Sequence, residues 1–260
     1  MIYDRSDMAL FKLTLKTTIA RNTYLVFLLM LFLLPLILPN LIPYEEKPDM
    51  YRPAQAQTAW GLLWVVSLVW LFYQAAQIGH DGASQGLLEY FKTLGVKRSS
   101  LIVQLWANSL LWCVICLLIV LGISLFLAMP TNPEETGMWV ATNLQYAVLY
   151  LLVVVPLFLL ATALGTRINS TAAYVITTAL AVYGLYGIGY LDFFLSHSGN
   201  PVVDAIYVIS PHYHFANLTN RLVYNMGPLE SAAFIKMLFY FAALDSVVIG
   251  VSALLFQEKK

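Results

Sequence analysis

The chain has 260 residues, of which 60% are hydrophobic and 11% charged, and its 14 Lys and Arg residues balance 14 Asp and Glu residues. A soluble globular domain carries roughly 25% charged residues, and a disordered chain is poor in aliphatic and aromatic residues. Two cysteines are too few for a disulfide scaffold, and the balanced charge argues against a nucleic-acid-binding protein. The composition therefore indicates an integral membrane protein.

The first predicted element is a helix that lies in the membrane interface, within residues 1–23. Basic residues fall near one side of the segment Met8–Arg21 at helical spacing, and apolar residues cover another side. The basic residues are Lys12, Lys16 and Arg21, and the apolar ones are Leu10, Leu13 and Ile19. The alternative is a solvated basic tail.

Six apolar stretches are long enough to cross the bilayer, which takes roughly 20 helical residues. They do not alternate apolar with polar residues, so membrane β-strands are not expected. The first stretch has the length of a membrane span rather than of a cleaved signal peptide, and we expect it to be retained. The predicted spans are 24–43, 59–78, 105–129, 139–164, 172–191 and 233–256.

The distribution of basic residues predicts the orientation, because Lys and Arg concentrate on the cytoplasmic side. With the N-terminus in the cytoplasm, ten of the fourteen basic residues lie inside. The inside set is Arg5, Lys12, Lys16, Arg21, Lys92, Lys97, Arg98, Arg167, Lys259 and Lys260. The outer loops instead carry Glu45, Glu46, Asp49, Glu134 and Glu135. Both termini are therefore expected in the cytoplasm.

The polar segment 80–104, between the second and third spans, contains a short amphipathic pattern. Apolar residues recur at helical spacing, and Gly95 follows as a helix C-cap. Such a ridge, facing the cytosol, is typical of a docking surface for a soluble partner. The alternative is a linker helix packed on the bundle. The ridge residues are Leu87, Leu88, Phe91 and Leu94.

This segment resembles the coupling region of the permease subunits of type-2 ATP-binding-cassette exporters. That family carries a pattern close to Gly-Thr-Leu-Glu, then aliphatic and small residues, then Pro-Val-Ser-Arg and an aliphatic helix. Gly86, Leu88 and Glu89 match the first block, and Val96 and Arg98 match the second, before Leu101-Ile102-Val103. Leu87, Gly95 and Lys97 depart from it. Six spans, an N-terminal amphipathic helix and a long external segment before the last span also match.

The resemblance implies the role of a transmembrane permease in the inner (cytoplasmic) membrane of a bacterium. Two copies of the permease, as a homodimer, would form the pathway in the lipid bilayer, and a dimer of cytoplasmic ATPase subunits would bind ATP and Mg. The helix around Gly86–Leu94 would dock on the ATPase, oriented by Glu89 and Arg98. An accessory periplasmic subunit is a further expected partner, whereas nucleic acid is not. No cofactor is expected in this chain, which has no Gly-Lys dipeptide and therefore no phosphate-binding loop of that type.

The segment 192–232 is expected to form short external re-entrant helices, as in that family. Ser210 followed by Pro211 is typical of a helix start, and Gly227-Pro228 ends the unit. The string from Ser210 to Phe215 also resembles a branch of permeases linked to the maturation of copper enzymes.

Five residues are candidates for a translocation pathway. Pro35 and Pro39 break the first span, and a kinked helix can line a path that opens and closes. Asp245 is an ionisable group inside the last span, where such residues are costly. Tyr183 and Tyr186 accompany Gly184, Gly187 and Gly189, which permit close helix approach in the fifth span. The alternatives are ordinary membrane-helix prolines and a locally hydrogen-bonded Asp245.

No metal site is expected. His212 and His214, two residues apart, would point in opposite directions on a helix, and Pro211 favours a helix there. Cys113 and Cys116 lie inside the third span and are expected to pack as small apolar residues.

Two other functions remain open at this point. A membrane-embedded enzyme acting on lipid would need Asp, His or Arg residues clustered at one membrane face, where the chain offers His80-Asp81 and a few basic residues. A non-transporting assembly factor would have no ATPase partner. The substrate is not specified by the sequence.

Overall fold

The computed structural model describes residues 8–41, 51–198 and 200–258, and every regular element in these ranges is helical. Short 3-10 turns lie at Leu38–Leu41 and Tyr213–Ala216, and π-helical turns at Ser67–Leu71, Ile123–Leu127 and Tyr183–Gly187. The α-helices are α1 (Ala9–Ala20), α2 (Thr23–Ile37), α3 (Tyr51–Val66), α4 (Phe72–Ser84), α5 (Leu87–Thr93), α6 (Arg98–Gly122), α7 (Pro133–Arg167), α8 (Ser170–Val182), α9 (Ile188–Ser198), α10 (Pro201–Ile209), α11 (Thr219–Val223) and α12 (Ser231–Leu255).

Six helices of membrane length are confirmed. They are Thr23–Leu41, Tyr51–Ser84, Arg98–Leu127, Pro133–Arg167, Ser170–Phe194 and Ser231–Leu255. The second and third helices continue past the predicted spans, so the connection between them shortens from 80–104 to 85–97. Six apolar helices of this length are those of an integral membrane protein. Residues 42 and 43 of the first predicted span lie outside the described ranges, as do Arg5, Glu45, Glu46, Asp49, Lys259 and Lys260.

Helix α7 forms the centre of the bundle, and its largest contact is with α4. Two glycines permit that contact. A Cβ atom at Gly79 would lie 2.1 Å from the carbonyl oxygen of Thr162, and one at Gly165 would lie 2.2 Å from that of Ala76. The backbones of α4 and α7 therefore touch directly, as small residues allow in membrane helix pairs.

Aromatic and polar side chains fill the space between α3 and α7. Trp60 stacks on Tyr146 with ring centroids 3.9 Å apart, and its indole N–H donates to Asn143. The Tyr146 hydroxyl donates to Asn217 at 2.8 Å and accepts from the Trp64 indole N–H at 2.9 Å. These hydrogen bonds pair buried polar groups that would otherwise be costly in a bundle core.

The N-terminal helix α1 packs lengthwise on α6. Its buried stripe is Leu10, Thr14 and Thr18, spaced four residues apart. The Gln104 side chain accepts hydrogen bonds from the backbone N–H groups of Leu10 and Phe11, which lack partners within the helix. Leu13 and Ile19 remain exposed, so the predicted apolar side is only partly buried in the bundle.

The bundle has two distinct ends. One end, called here the α5 end, holds α5 and the C-terminal end of α12. The other end, called the α11 end, holds α10 and α11.

The predicted helix start at Ser210 and Pro211 is wrong. Ser210 instead caps the C-terminus of α10, with its hydroxyl donating to the Ile206 carbonyl and paired with the Tyr183 hydroxyl at 2.6 Å. The next turn is a 3-10 turn that begins at Tyr213. Two short helices, α10 and α11, lie before the last membrane-length helix, and Gly227 adopts a positive φ of 75°.

Candidate docking site at the α5 end

Helix α5 is bounded by two glycines in the left-handed region. Gly86 has φ +70° and ends α4, and Gly95 has φ +86° and ends α5. The N–H of Gly95 donates to the Lys92 carbonyl, and the N–H of Val96 donates to the Phe91 carbonyl. This pair of bonds is the Schellman motif, in which glycine is preferred because it has no Cβ. The predicted Gly95 cap therefore has the expected geometry.

The four residues of the predicted ridge do not share one environment. Leu88 is 0% and Phe91 8% exposed, and both pack with Leu10 of α1, Leu101 of α6 and Phe256. Burial of a Leu or Phe side chain contributes about 1.5–3 kcal/mol each. Leu88 and Phe91 therefore anchor α5 to the bundle, and the expectation that they face the cytosol as part of the ridge is wrong.

The outward face of α5 carries a different pair of apolar side chains. Tyr90 is 58% and Leu94 56% exposed, and Glu89 is exposed beside them. Leu87 and Val96 are partly buried against the same cluster as Leu88. The surface that α5 offers to another molecule is therefore Tyr90 and Leu94 with a charged border, and we call these residues the α5 outer face.

Two arginines cap the C-terminal end of α12 at this same end of the bundle. Arg98, the first residue of α6, donates to the carbonyls of Ala253, at 3.1 Å, and of Phe256. Arg167, the last residue of α7, donates to Leu254 at 3.0 Å and to Leu255. The last carbonyls of a helix have no partners within it, and cations there also interact favourably with the helix dipole. Arg98 thus links α6 to α12 within the chain.

Glu258, just beyond α12, joins this arrangement to α5. Its carboxylate pairs with Lys92 of α5 and lies 3.9 Å from the Arg98 guanidinium. The Glu258 side chain is only 14% exposed, whereas that of Lys92 is 60% exposed. Helix α5 is therefore tied to α12 by charge as well as to α1 and α6 by apolar packing.

Of the pathway candidates, Pro39 and Tyr186 lie together. They line a cleft of about 670 Å³ at the α11 end, whose other polar residues include Gln57, Asn217 and Asn220. These amides could not be recognised from the sequence, because their polar side chains have no regular spacing. Pro35 is buried in α2, and the Tyr183 hydroxyl is paired with Ser210. Gly184 makes the close approach expected of it, since a Cβ there would lie 2.4 Å from Tyr213.

Asp245 lies apart from that cleft. It is half-buried in α12 and lines a groove of about 650 Å³ between α6, α7 and α12, whose other lining residues are almost all apolar. The five predicted pathway residues thus do not form one continuous surface.

The two histidines of the segment before α12 are close but complete no larger cluster. Their ring centroids are 5.5 Å apart, and the Nε2 atom of His212 lies 3.0 Å from the Tyr207 carbonyl, which fixes the hydrogen on Nε2. Burial lowers the pKa of His214 below its ordinary value, and neighbouring His212 adds to that shift. Within the described ranges, no group of three or more His, Cys, Asp or Glu residues is arranged to hold a metal ion. Cys113 and Cys116 are buried, as expected.

Chemically, the α5 end offers a binding surface that is joined to α1, α6 and α12. Its exposed groups are an aromatic ring, an aliphatic side chain and charges of both signs. Comparison of the chain with known protein families, with curated proteins and with solved structures finds no match.

Proposed function

We propose that the chain is the transmembrane permease subunit of an ATP-driven exporter, similar to the type-2 ATP-binding-cassette permeases. A separate ATPase subunit binds ATP and Mg and docks on the α5 outer face. In this proposal the α5 end and both termini lie in the cytoplasm, and a second copy of the chain completes the pathway.

The observation that carries the proposal is the construction of α5. A short helix between two membrane-length helices is fixed by glycine caps and by Leu88 and Phe91, yet exposes Tyr90 and Leu94 to solvent. A flexible linker has no need of such anchoring, whereas a helix that transmits force from a soluble partner requires it. The basic residues near this end support a cytoplasmic location by the positive-inside rule.

The proposal also explains how ATP binding would act. An ATPase can bias the bundle only through contacts that differ between two states of the permease. Because α5 is tied to α1, α6 and α12, displacement of the α5 outer face would displace those helices as well.

The first experiment is purification of the chain from its native membrane in mild detergent. We expect an accompanying ATPase whose sequence contains a Gly-x-x-x-x-Gly-Lys-Ser/Thr loop. The double variant Tyr90→Glu/Leu94→Glu should lose that ATPase while remaining folded, because both side chains are exposed.

The matched control is the double variant Tyr224→Glu/Met226→Glu, at the α11 end, where both side chains are also exposed. This control should keep the ATPase. If no ATPase with that loop accompanies the chain, or if the Tyr90/Leu94 variant retains it, the proposal is wrong.

A further inference from the structure

The groove that contains Asp245 has the size and composition of a small-molecule site. Ile102 and Trp106 of α6, Leu151 and Val155 of α7, and Ile249 of α12 supply apolar walls around about 650 Å³. Ligand pockets of roughly 300–1,000 Å³ with mainly apolar walls and few polar groups are typical of drug-sized molecules. The groove is therefore large enough for a compact organic molecule.

Asp245 lies far from both ends of its helix. It is 14 residues after Ser231 and 10 before Leu255, which at 1.5 Å per residue corresponds to about 21 Å and about 15 Å. This position is near the centre of a hydrocarbon layer about 30 Å thick. No Lys, Arg or His is among the described residues that line the groove.

The Asp245 carboxylate has no hydrogen bond or ion pair with any residue that the structure describes. Gln104, Asn143 and Tyr146, which are also polar and lie inside the bundle, are by contrast all hydrogen-bonded. Ionisable groups inside a membrane are costly and ordinarily pair with an opposite charge or line a functional path. The described part of the chain therefore gives this carboxylate no partner, and a positively charged ligand would supply one.

Trp106 gives the groove a second feature that suits a cation. Its indole N–H donates to the Val155 carbonyl at 2.9 Å, which fixes the ring against the groove wall. An aromatic face attracts a nearby positive charge, most strongly where water is excluded. Lipid acyl chains could pack against the apolar walls, but they carry no positive charge to interact with the carboxylate or with the ring.

The geometry points to a binding site for a lipophilic organic cation, entered laterally from the bilayer between α6 and α12. The hydrocarbon part of the ligand packs on the apolar walls, and its positive charge pairs with Asp245. The inference that such a cation is transported rests on the proposed exporter function. The inference that the groove binds it does not.

The test is equilibrium binding of radiolabelled tetraphenylphosphonium to the purified full-length chain in lipid nanodiscs, without any ATPase. Tetraphenylborate has the same shape and the opposite charge, and nanodiscs without protein give the contribution of the lipid. We expect saturable binding of the cation alone. Asp245→Asn should weaken it about tenfold or more, equal to about 1.4 kcal/mol.

A second variant tests the groove without removing the charge. Ile249→Trp, at an exposed position on α12, should fill the groove and block binding of the cation. Ser246→Ala, at an exposed position three residues earlier on the same helix, should leave binding unchanged. Equal protein-dependent binding of the two probes, or unchanged cation binding in Asp245→Asn, would overturn the inference. Absence of cation binding by the wild type would also overturn it. If Ile249→Trp in addition changed the protein from dimer to monomer, the groove would be the surface that a second copy of the chain covers. Loss of the ATPase in the Tyr90/Leu94 variant is a separate result and does not affect this one.

Discussion

Replacing Gly79 by alanine tests the direct contact between α4 and α7, which positions the α5 end. The new Cβ would lie 2.1 Å from the Thr162 carbonyl oxygen, whereas ordinary contact begins at 3.4 Å, so the two atoms must separate by 1.3 Å. The obstacle is backbone, which cannot rotate away as a side chain can. Overpacking costs about 1–3 kcal/mol, and because backbone is the obstacle we expect about 3 kcal/mol here, which exceeds the roughly 1 kcal/mol gained from the better helix propensity of alanine.

The two buried cysteines provide the assay. Cys113 and Cys116 are fully buried, and the chain contains no other cysteine. A fluorogenic maleimide therefore reacts only when heat unfolds the bundle. At about 2–4 °C per kcal/mol for a chain of this size, a net destabilisation of about 2 kcal/mol lowers the unfolding temperature by about 4–8 °C.

The matched control is Gly250→Ala in α12, where a Cβ would meet no described atom within 4 Å. This variant should keep or slightly raise the unfolding temperature. Gly165→Ala should resemble Gly79→Ala, and the double variant should cost less than the sum of the two, because both open the same contact. Equal unfolding temperatures for Gly79→Ala and Gly250→Ala would refute the close packing of α4 and α7.

Three further predictions concern single side chains. Arg167→Gln removes donors from the last carbonyls of α12 and should cost about 1 kcal/mol in the thiol assay, whereas exposed Lys97→Gln should have no effect. Tyr146→Phe leaves the Trp64 indole N–H without its acceptor and removes one of two donors to the Asn217 oxygen, so it should cost about 1–3 kcal/mol. Burial lowers the pKa of His214 in the folded state, so in mild acid the unfolded chain binds more protons than the folded chain. The free energy of unfolding should therefore fall as the pH decreases from the ordinary histidine pKa to the lower pKa of the folded state. His214→Gln should flatten that part of the profile measured from pH 8 to 5, and an unchanged slope would contradict the assignment.

The sequence predicted those features that depend on neighbouring residues. The six long helices could be predicted because each is an apolar stretch long enough to cross a bilayer. The end of α5 could be predicted because Gly95 follows a helical pattern, where glycine readily adopts the left-handed conformation that ends a helix. The inward side of α5 did not follow, because Leu87, Leu88, Phe91 and Leu94 fall on one side of the helix, and the local pattern does not say whether that side faces the bundle or the cytosol. Leu88 and Phe91 are buried by Leu10 and Phe256, which lie far away along the chain.

Tertiary contacts also explain the wrong prediction at Ser210. Its hydroxyl can cap a helix that follows it, and Pro211 fits the first turn of such a helix. In the fold that hydroxyl is already used, since it donates to Ile206 and pairs with Tyr183. The local preference of Ser210 and Pro211 for a helix start was therefore overridden by a hydrogen bond to Tyr183, which lies between α8 and α9 and is not part of any short sequence pattern around Ser210.

Arg98 connects the two proposed sites of the molecule. It is the first residue of α6 and holds the carbonyl of Ala253, while Ser99 and Ala253 line the end of the Asp245 groove nearest to α5. Any movement of α5 that separates the start of α6 from the end of α12 would break this contact and widen that end of the groove. Binding in the groove and docking on α5 would then share one contact, and by reciprocity each would alter the equilibrium of the other. The same contact gives a physical reason for an arginine at this position beyond any contact with the ATPase.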